Sequence, residues 1–423
     1  MQSGASSLIK LSNRLIKGIF LPMLSVFFVS ASLLAAEPEV TMATRTIFNY
    51  NRFPDAFRQA GILESSQGIL QSLNRISVFN RFSDFTVKAE YEIASLYFSS
   101  NTNLLSSWAT AADNTGMKAC NTHSNLLESP QTFVSGELER LEVNFSSGRT
   151  DFQLGRQPIS FGTSHFISVA DILAPFQPGY LDGSFKPGID ALRMRRTVGD
   201  TGEAEIILAA ADDNADNAVI GRHRDTYGGF DLEICLGRFR RRNFATASFE
   251  GERRRYNLWG ELAVFDRYDD ERSFGGVSQQ VAAAWVTGVE RSTGKGWRHG
   301  LAIMHHDFGA RKVDDLPAAQ MTSPYQQGWV YLAASDYLFF STRREMNPLA
   351  TANLNVLHNL RDGSNLLQPV ISISTGDESD LAIFAWLNTG SRPVGAEGIL
   401  RQHSEFGSFS NGIGLIYRLY FKN

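Results

Sequence analysis

The residues in this chain best placed to act on another molecule are charges spaced two apart. In "DALRMRR" (190–196), Arg193 and Arg195 fall on one phase, Leu192 and Met194 on the other. In "TVKAEYEIASLYF" (86–98), Lys88, Glu90 and Glu92 oppose Val87, Ala89, Tyr91 and Ile93. Fixed charges along a wall attract or repel a passing ion, so the chemistry they offer is selection rather than bond making. A solvated wall charge with no influence on passage is the plain alternative for any one of them. Of the 40 basic residues 8 are Lys, which leaves 32 Arg, the side chain suited to planar contacts with carboxylate and phosphate.

Catalytic fragments are sparse. His305-His306, His403-Ser404 and His123-Ser124 are the available pairs, and the first two of these His residues point to opposite faces if they lie on a strand. No nucleophile elbow and no HExxH occurs. The chain is expected to be no enzyme and to need no metal or cofactor.

The elements that would carry the charges are strands. Alternation over seven to eleven residues recurs in "FDLEICL" (230–236), "YNLWGELAVF" (256–265) and "NGIGLIYRLYF" (411–421). Sixteen segments of this kind are read between 86 and 421, including 189–198, 218–225 and 329–341. Their connections fall into a mostly short set and a set holding every long loop, 99–136, 156–188, 267–280, 309–328 and 389–408. Short turns on one edge and long loops on the other describe an all-β, antiparallel transmembrane barrel of about sixteen strands, with fourteen to eighteen as the range. The competing architecture is a secreted sandwich or propeller, but a propeller needs a blade repeat that is absent here.

Composition agrees. The 423 residues carry a net charge of −4, with 43% hydrophobic and 20% charged residues, which excludes wholesale disorder. Lys10, Arg14 and Lys17 precede the apolar run Ile19–Leu34 and the small residues Ala35-Ala36, the layout of a cleaved secretory signal (1–36), with Val29-Ser30-Ala31 as a competing cut. No later window approaches the apolar length of a membrane helix. Negative charge and export argue against nucleic acid as a partner. Outer-membrane lipid, lipopolysaccharide phosphates and small hydrophilic solutes suit the address, and "RFRRRN" (238–243) and "GERRRY" (251–256) fall in connections on opposite edges. Residues 37–85 read as a periplasmic lead-in or a plug, with a short amphipathic helix within 54–73, and 86–423 as the barrel. Cys120 and Cys235 are the only cysteines, either paired or free.

"FSSGRTDFQLGRQPISFG" (145–162) resembles the strand-turn-strand that precedes the constriction loop of Gram-negative general porins, through Phe145, Gly148, Phe152, Leu154, Gly155, Arg156 and Gln157. Alginate-export-type and related porin-like barrels share such Gly-Arg-Gln strand ends. The resemblance implies a passive channel in the outer membrane of a Gram-negative bacterium, a homotrimeric assembly, and loop 156–188 folded inward. The loop's Phe161, Phe166, Phe176, Tyr180 and Phe185 need apolar shelter, which an inward fold provides. Asp171, Asp182 and Lys186 are then candidate charges facing Arg193 and Arg195, with Arg156 and Gln157 at the strand end. Strict alternation aims Arg156 at lipid, so it sits at the rim or Gly155 carries a bulge. The alternatives are a barrel for a specific solute or an exported polysaccharide, and a barrel hydrolase or adhesin.

Overall fold

The computed structural model describes residues 38–61, 63–100, 117–174, 185–266, 281–328, 330–396 and 399–422. In chain order the strands are β1 (Glu39–Arg52), β2 (Ser66–Arg81), β3 (Phe85–Phe98), β4 (Ser124–Glu128), β5 (Thr132–Ser147), β6 (Thr150–Gln157), β7 (Ile189–Val198), β8 (Gly202–Ala209) and β9 (Ala218–Tyr227). They continue as β10 (Phe230–Phe239), β11 (Arg242–Arg253), β12 (Tyr256–Asp266), β13 (Val281–Thr293), β14 (Trp297–His306), β15 (Asp336–Asn347), β16 (Ala350–Asn359), β17 (Asn365–Gly376), β18 (Ser379–Thr389), β19 (Val394–Ala396), β20 (Ile399–Arg401) and β21 (Asn411–Lys422). Eighteen of them form the wall; β4 extends one loop and β19–β20 make a hairpin in another. Every neighbouring wall pair is antiparallel, and β1 pairs with both β2 and β21, which closes the barrel.

The wall strands follow from period-two patterning. Ile206, Ile234, Leu262, Leu301, Phe340, Ile371, Ile383 and Leu415 stand exposed on the outside. Arg75, Glu90, Glu205, Glu233 and Glu261 stand on the opposite phase and are nearly closed to solvent. A charge on the outer face at mid-bilayer depth costs about 2–4 kcal/mol, which fixes this phase. Among the described residues no helix is long and apolar enough to cross a membrane.

The strand count corrects the expected sixteen to eighteen. Both added strands come from the stretch read as a lead-in or plug, 37–85, in which Asp55–Gln59 is the one helical segment among the described residues. The pattern was blurred there on both faces. Thr44, Thr46, Ser72 and Asn74 take the outward phase beside exposed Met42, Phe48, Leu70 and Ile76, while Ile47 and Leu73 face inward. The polar outward groups satisfy one another: Thr44 Oγ1 donates to Asn74 Oδ1 at 3.1 Å, and Asn74 Nδ2 to Ser72 Oγ at 3.1 Å. A second correction moves the expected strand 329–341 to Asp336–Asn347, because Leu332, Ala333 and Ala334 are buried loop packing rather than wall.

On one edge β2–β3, β5–β6, β7–β8, β9–β10, β11–β12, β13–β14, β15–β16 and β17–β18 are joined by turns of two or three residues. The other edge carries 53–65, 99–131, 158–188, 210–217, 240–241, 267–280, 307–335, 360–364 and 390–410. Both ends of the wall, at Glu39 and Lys422, lie on the short-turn edge. Loops 307–335 and 390–410 of the opposite edge are tied together by one buried group. Glu405 accepts hydrogen bonds from Ala333 N at 2.7 Å, Tyr337 Oη at 2.6 Å and Asn359 Nδ2 at 2.8 Å, and burial pushes its carboxyl up to about 7.

Candidate functional site

Strand β6 leaves the wall at Gln157, and the chain returns at Ile189. Arg156 and Asp190 are cross-strand partners at that gap. The Arg156 guanidinium donates through Nε to Asp190 Oδ1 at 2.8 Å and through Nη2 to Oδ2 at 2.9 Å. It also reaches Cys120 O, Thr122 Oγ1 and Leu138 O. Gly155 takes φ 122°, open to glycine alone, and a Cβ there would collide with the Leu141 carbonyl. Arg156 thus sits at the long-loop rim, facing neither lipid nor open lumen, and its charge is spent on the base of the loop. Gln157 Nε2 donates to Ala191 O at 2.9 Å across the same gap.

From this base the described legs of the loop, 158–174 and 185–188, lie against the inner wall. Its first leg reaches β12, where the carboxylate of Glu261 is wrapped by backbone. Oε1 accepts from Thr163 N and Ser164 N at 2.6 Å each; Oε2 accepts from Val169 N at 2.8 Å, Ala170 N at 3.1 Å and Ser168 Oγ at 2.8 Å. Gly162, at φ 82°, lies against this carboxylate, and any Cβ there would strike Glu261 Oε1 and Ser168 Oγ. Gly162 N donates to Glu233 Oε1 at 3.0 Å. Next to the nest, His165 bridges two wall strands: Nε2 lies 3.0 Å from Glu250 Oε1 and Nδ1 2.9 Å from Glu290 Oε1, with the ring stacked 5.4 Å from Trp259. The hydrogen bond to Glu290 is the largest cause holding the His165 pKa above its usual value.

The return leg lies across the barrel. Phe185 sits 4.1 Å beneath the Arg75 guanidinium and 5.9 Å from that of Arg45, on β2 and β1. Lys186 Nζ contacts both oxygens of Asp171, at 2.5 and 2.6 Å, and Ser160 Oγ at 2.9 Å. Burial pushes the Asp171 carboxyl up to about 6 against the pull of Lys186. Apolar packing completes the seal. Ile159, Phe161, Ile172 and Leu173 pack with Ile207, Ile220 and Phe265 of the wall, and the Phe166 ring lies tilted with its centroid 5.0 Å from that of Phe339. Each such side chain removed from water contributes about 1.5–3 kcal/mol.

The residues singled out by sequence therefore part company. Lys88, Glu90 and Glu92 line the lumen side of β3; Lys88 Nζ lies 2.7 Å from Glu90, and Arg75 lies 3.2 Å from Glu90 and 2.8 Å from Glu92. Arg193 is held 2.6 Å from Glu205, which Arg222 also meets at 3.1 Å before reaching Glu233 at 2.5 Å. Arg195 is freer, with Glu203 at 3.6 Å and Glu205 at 3.9 Å. Arg193 and Arg195 join Arg81, Asn144 and Gln153 around a cavity of about 670 Å³ near the short-turn edge. Asp171 and Lys186, expected to face these arginines, instead neutralise each other inside the loop. Asp182, with Phe176 and Tyr180, lies outside the described residues. Cys120 and Cys235 are separate free thiols, not a disulfide.

Glu261 was missed by the sequence reading, although a signal existed. In "WGELAVF" it is the lone acid on the phase opposite Leu258, Leu262 and Val264. A buried carboxylate in a wall strand asks for donors, and a loop rich in Gly and Ser supplies them.

No family model and no curated protein matches this chain. Solved structures do. OccAB4 of Acinetobacter baumannii is 11% identical with a TM-score of 0.54, covering 92% of this chain and 99% of that one. OccK5 (OpdH) of Pseudomonas aeruginosa is 8% identical at 0.56, over 92% and 98%. OccK8 (OprE) of the same organism is 9% identical at 0.54, over 92% and 98%. The chain thus shares the closed antiparallel barrel fold of the Occ/OprD outer-membrane porins of Gram-negative bacteria.

Proposed function

We propose that this protein is an outer-membrane channel through which small hydrophilic solutes diffuse passively, with no enzymatic step. One observation carries the reading: an outward apolar wall encloses a charged lumen, and the described legs of loop 158–188 are anchored inside it, at Glu261 on one side and under Arg75 on the other. A soluble protein has no use for the outward belt, and a plugged barrel has no use for a wall of paired charges around a cavity. The structural neighbours are outer-membrane porins, which supports both the location and the transport role.

Arg81, Arg193 and Arg195 are assigned to the selectivity surface on the short-turn side of the loop, taken as periplasmic because barrels keep short turns on that side. Three arginines against the two acids of the same cavity, Asp84 and Asp151, leave a sign that favours anionic solutes. Lipopolysaccharide contact and a homotrimeric assembly belong to the same reading. The arginines at 238–242 are poor candidates for the former, since Arg241 is bound to Asp213 and Asp216 and Arg242 is buried.

The test is conductance of the purified, heat-modifiable protein in planar bilayers. Stable ohmic steps with an anion-shifted reversal potential are expected. A protein that extracts with the outer membrane yet conducts nothing sinks the channel reading; one found soluble with unchanged gel mobility sinks the barrel reading.

A further inference from the structure

The "GERRRY" cluster has no part in the lumen, and its surroundings make it more than a charged turn. Three neighbouring short turns, β11–β12, β13–β14 and β15–β16, carry Arg253, Arg254, Arg255, Arg291, Lys295 and Arg344. None of the six enters an ion pair among the described residues, whereas the arginines of the "RFRRRN" cluster are mostly tied up: Arg241 is 2.6 Å from Asp213, and Arg242 donates to Asp266 O at 3.1 Å. Glu252 and Glu345, the acids in the same turns, take the lumen phase with Glu250 and Arg343. The outward rim of this sector is therefore cationic without compensation.

Depth and footing narrow the ligand. Arg253, Tyr256 and Arg291 form one outward cross-strand row. The next outward row is Leu258, Val289, Leu301 and Phe340, the start of the apolar belt. Two residues separate the rows, about 7 Å along a strand, the depth at which headgroups meet acyl chains. The guanidiniums lie on outward rings: Arg291 is 5.3 Å from the Tyr256 centroid and donates to its hydroxyl at 3.3 Å, and Arg344 is 5.1 Å from the Trp297 centroid. Stacking holds each fork at the interface with donors left for an anion.

The geometry points to a binding site for anionic phospholipid in the inner leaflet, its phosphate diester held by Arg253, Arg291 and Arg344 and its net charge met by Arg254, Arg255 and Lys295. The site rests on the channel reading only for which leaflet the short turns face. Its ligand is a phosphate on a lipid, not a free phosphate, because the arginines ring an exposed apolar ledge, with Met346 and Leu349 beside them.

The full-length mature protein, purified in neutral detergent, is mixed with phosphatidylglycerol or phosphatidylethanolamine of identical chains, and retained lipid is counted by native mass spectrometry. Wild type should keep phosphatidylglycerol about tenfold or more over phosphatidylethanolamine. A variant combining Arg253→Gln, Arg255→Gln, Arg291→Gln and Arg344→Gln should lose that preference while keeping its heat-shifted mobility. The pair Arg149→Gln and Arg196→Gln, on another sector, should keep it. Equal retention of the two lipids by wild type overturns the site, as does a fourfold variant that still prefers phosphatidylglycerol. Saturation by inorganic phosphate with no lipid preference overturns the lipid as its source. Loss of heat-shifted mobility in wild type would instead strike the barrel reading itself.

Discussion

Arg156 and Asp190 are paired across β6 and β7 where both strands end at the base of the loop, their side chains joined by two hydrogen bonds of 2.8 and 2.9 Å and both almost fully buried. The pair clamps the ends of β6 and β7 at the base of the loop, and Asp190 also accepts from Ala119 N at 2.9 Å, which draws the preceding loop onto the same point. Breaking a buried ion pair by removing one partner costs about 3–5 kcal/mol, since the remaining charge is left without compensation. Asp190→Asn should therefore lower the temperature of the heat-dependent mobility shift markedly. Arg156→Lys should lower it as well, because an ammonium cannot reproduce the fork that meets both oxygens. An unchanged transition in both variants would show that the base of the loop is held by the backbone alone.

The Glu261 nest should set the width of the pathway. Replacing Glu261 by Gln keeps the shape but turns one acceptor into a donor facing backbone N–H groups, and each buried donor left unmatched costs about 1–3 kcal/mol. The first leg of the loop should then lift from β12, giving larger and noisier single-channel steps. Gly162→Ala should reproduce the effect from the other side, through φ 82° and the collision with the carboxylate. Identical step size in both variants would remove the loop from the constriction.

Most of the wall was legible because lipid outside and water inside impose strict alternation, and each of the sixteen expected segments overlaps a wall strand. The two strands missed, β1 and β2, carry Thr44, Thr46, Ser72 and Asn74 toward lipid and Ile47 and Leu73 inward, so period two carried no hydropathy contrast. The site was less legible. Arg193 and Arg195 followed from phase alone, but which charges neutralise each other depends on contacts distant in sequence. Asp171 with Lys186, Arg193 with Glu205 and Arg156 with Asp190 are pairs no local pattern announces.

His165 should make the loop's seat sensitive to pH. The protonated ring donates to both Glu250 and Glu290, whereas a neutral ring can donate to only one and turns a lone pair toward the other. Asn257 also donates to Glu250 at 2.9 Å, and the charge of Arg298 acts on Glu290, so neither carboxylate depends on His165 alone. The folded pKa is raised above the unfolded 6.5, so the stabilisation is complete below that value and is lost as pH rises through the folded pKa. Current fluctuations should increase as pH rises from the unfolded value through the raised folded one. His165→Asn should flatten the profile, and a wild-type profile already flat over that range would rule the latch out.

Selectivity should depend on Arg195 more than on Arg193, although the two stand on one phase of one strand. Glu205 lies 2.6 Å from Arg193 and largely cancels it, while the nearest acids to Arg195 are 3.6 and 3.9 Å away and its side chain is 37% exposed. A permeating anion in the cavity of about 670 Å³ thus meets the field of Arg195 and of Arg81, which has no ion pair among the described residues, set against the acids Asp84 and Asp151 of the same lining. One unit charge acting over several ångströms of water changes an ion's energy by a few tenths of a kcal/mol, or about twofold in occupancy. Arg195→Gln should lower the anion-to-cation permeability ratio by about that factor. Arg193→Gln should do less, because the Arg193 side chain is the more withdrawn of the two, 10% exposed against 37% for Arg195. Reversal potentials across a salt gradient measure both, and equal shifts in the two variants would show that the Arg193–Glu205 pair opens to the permeating ion.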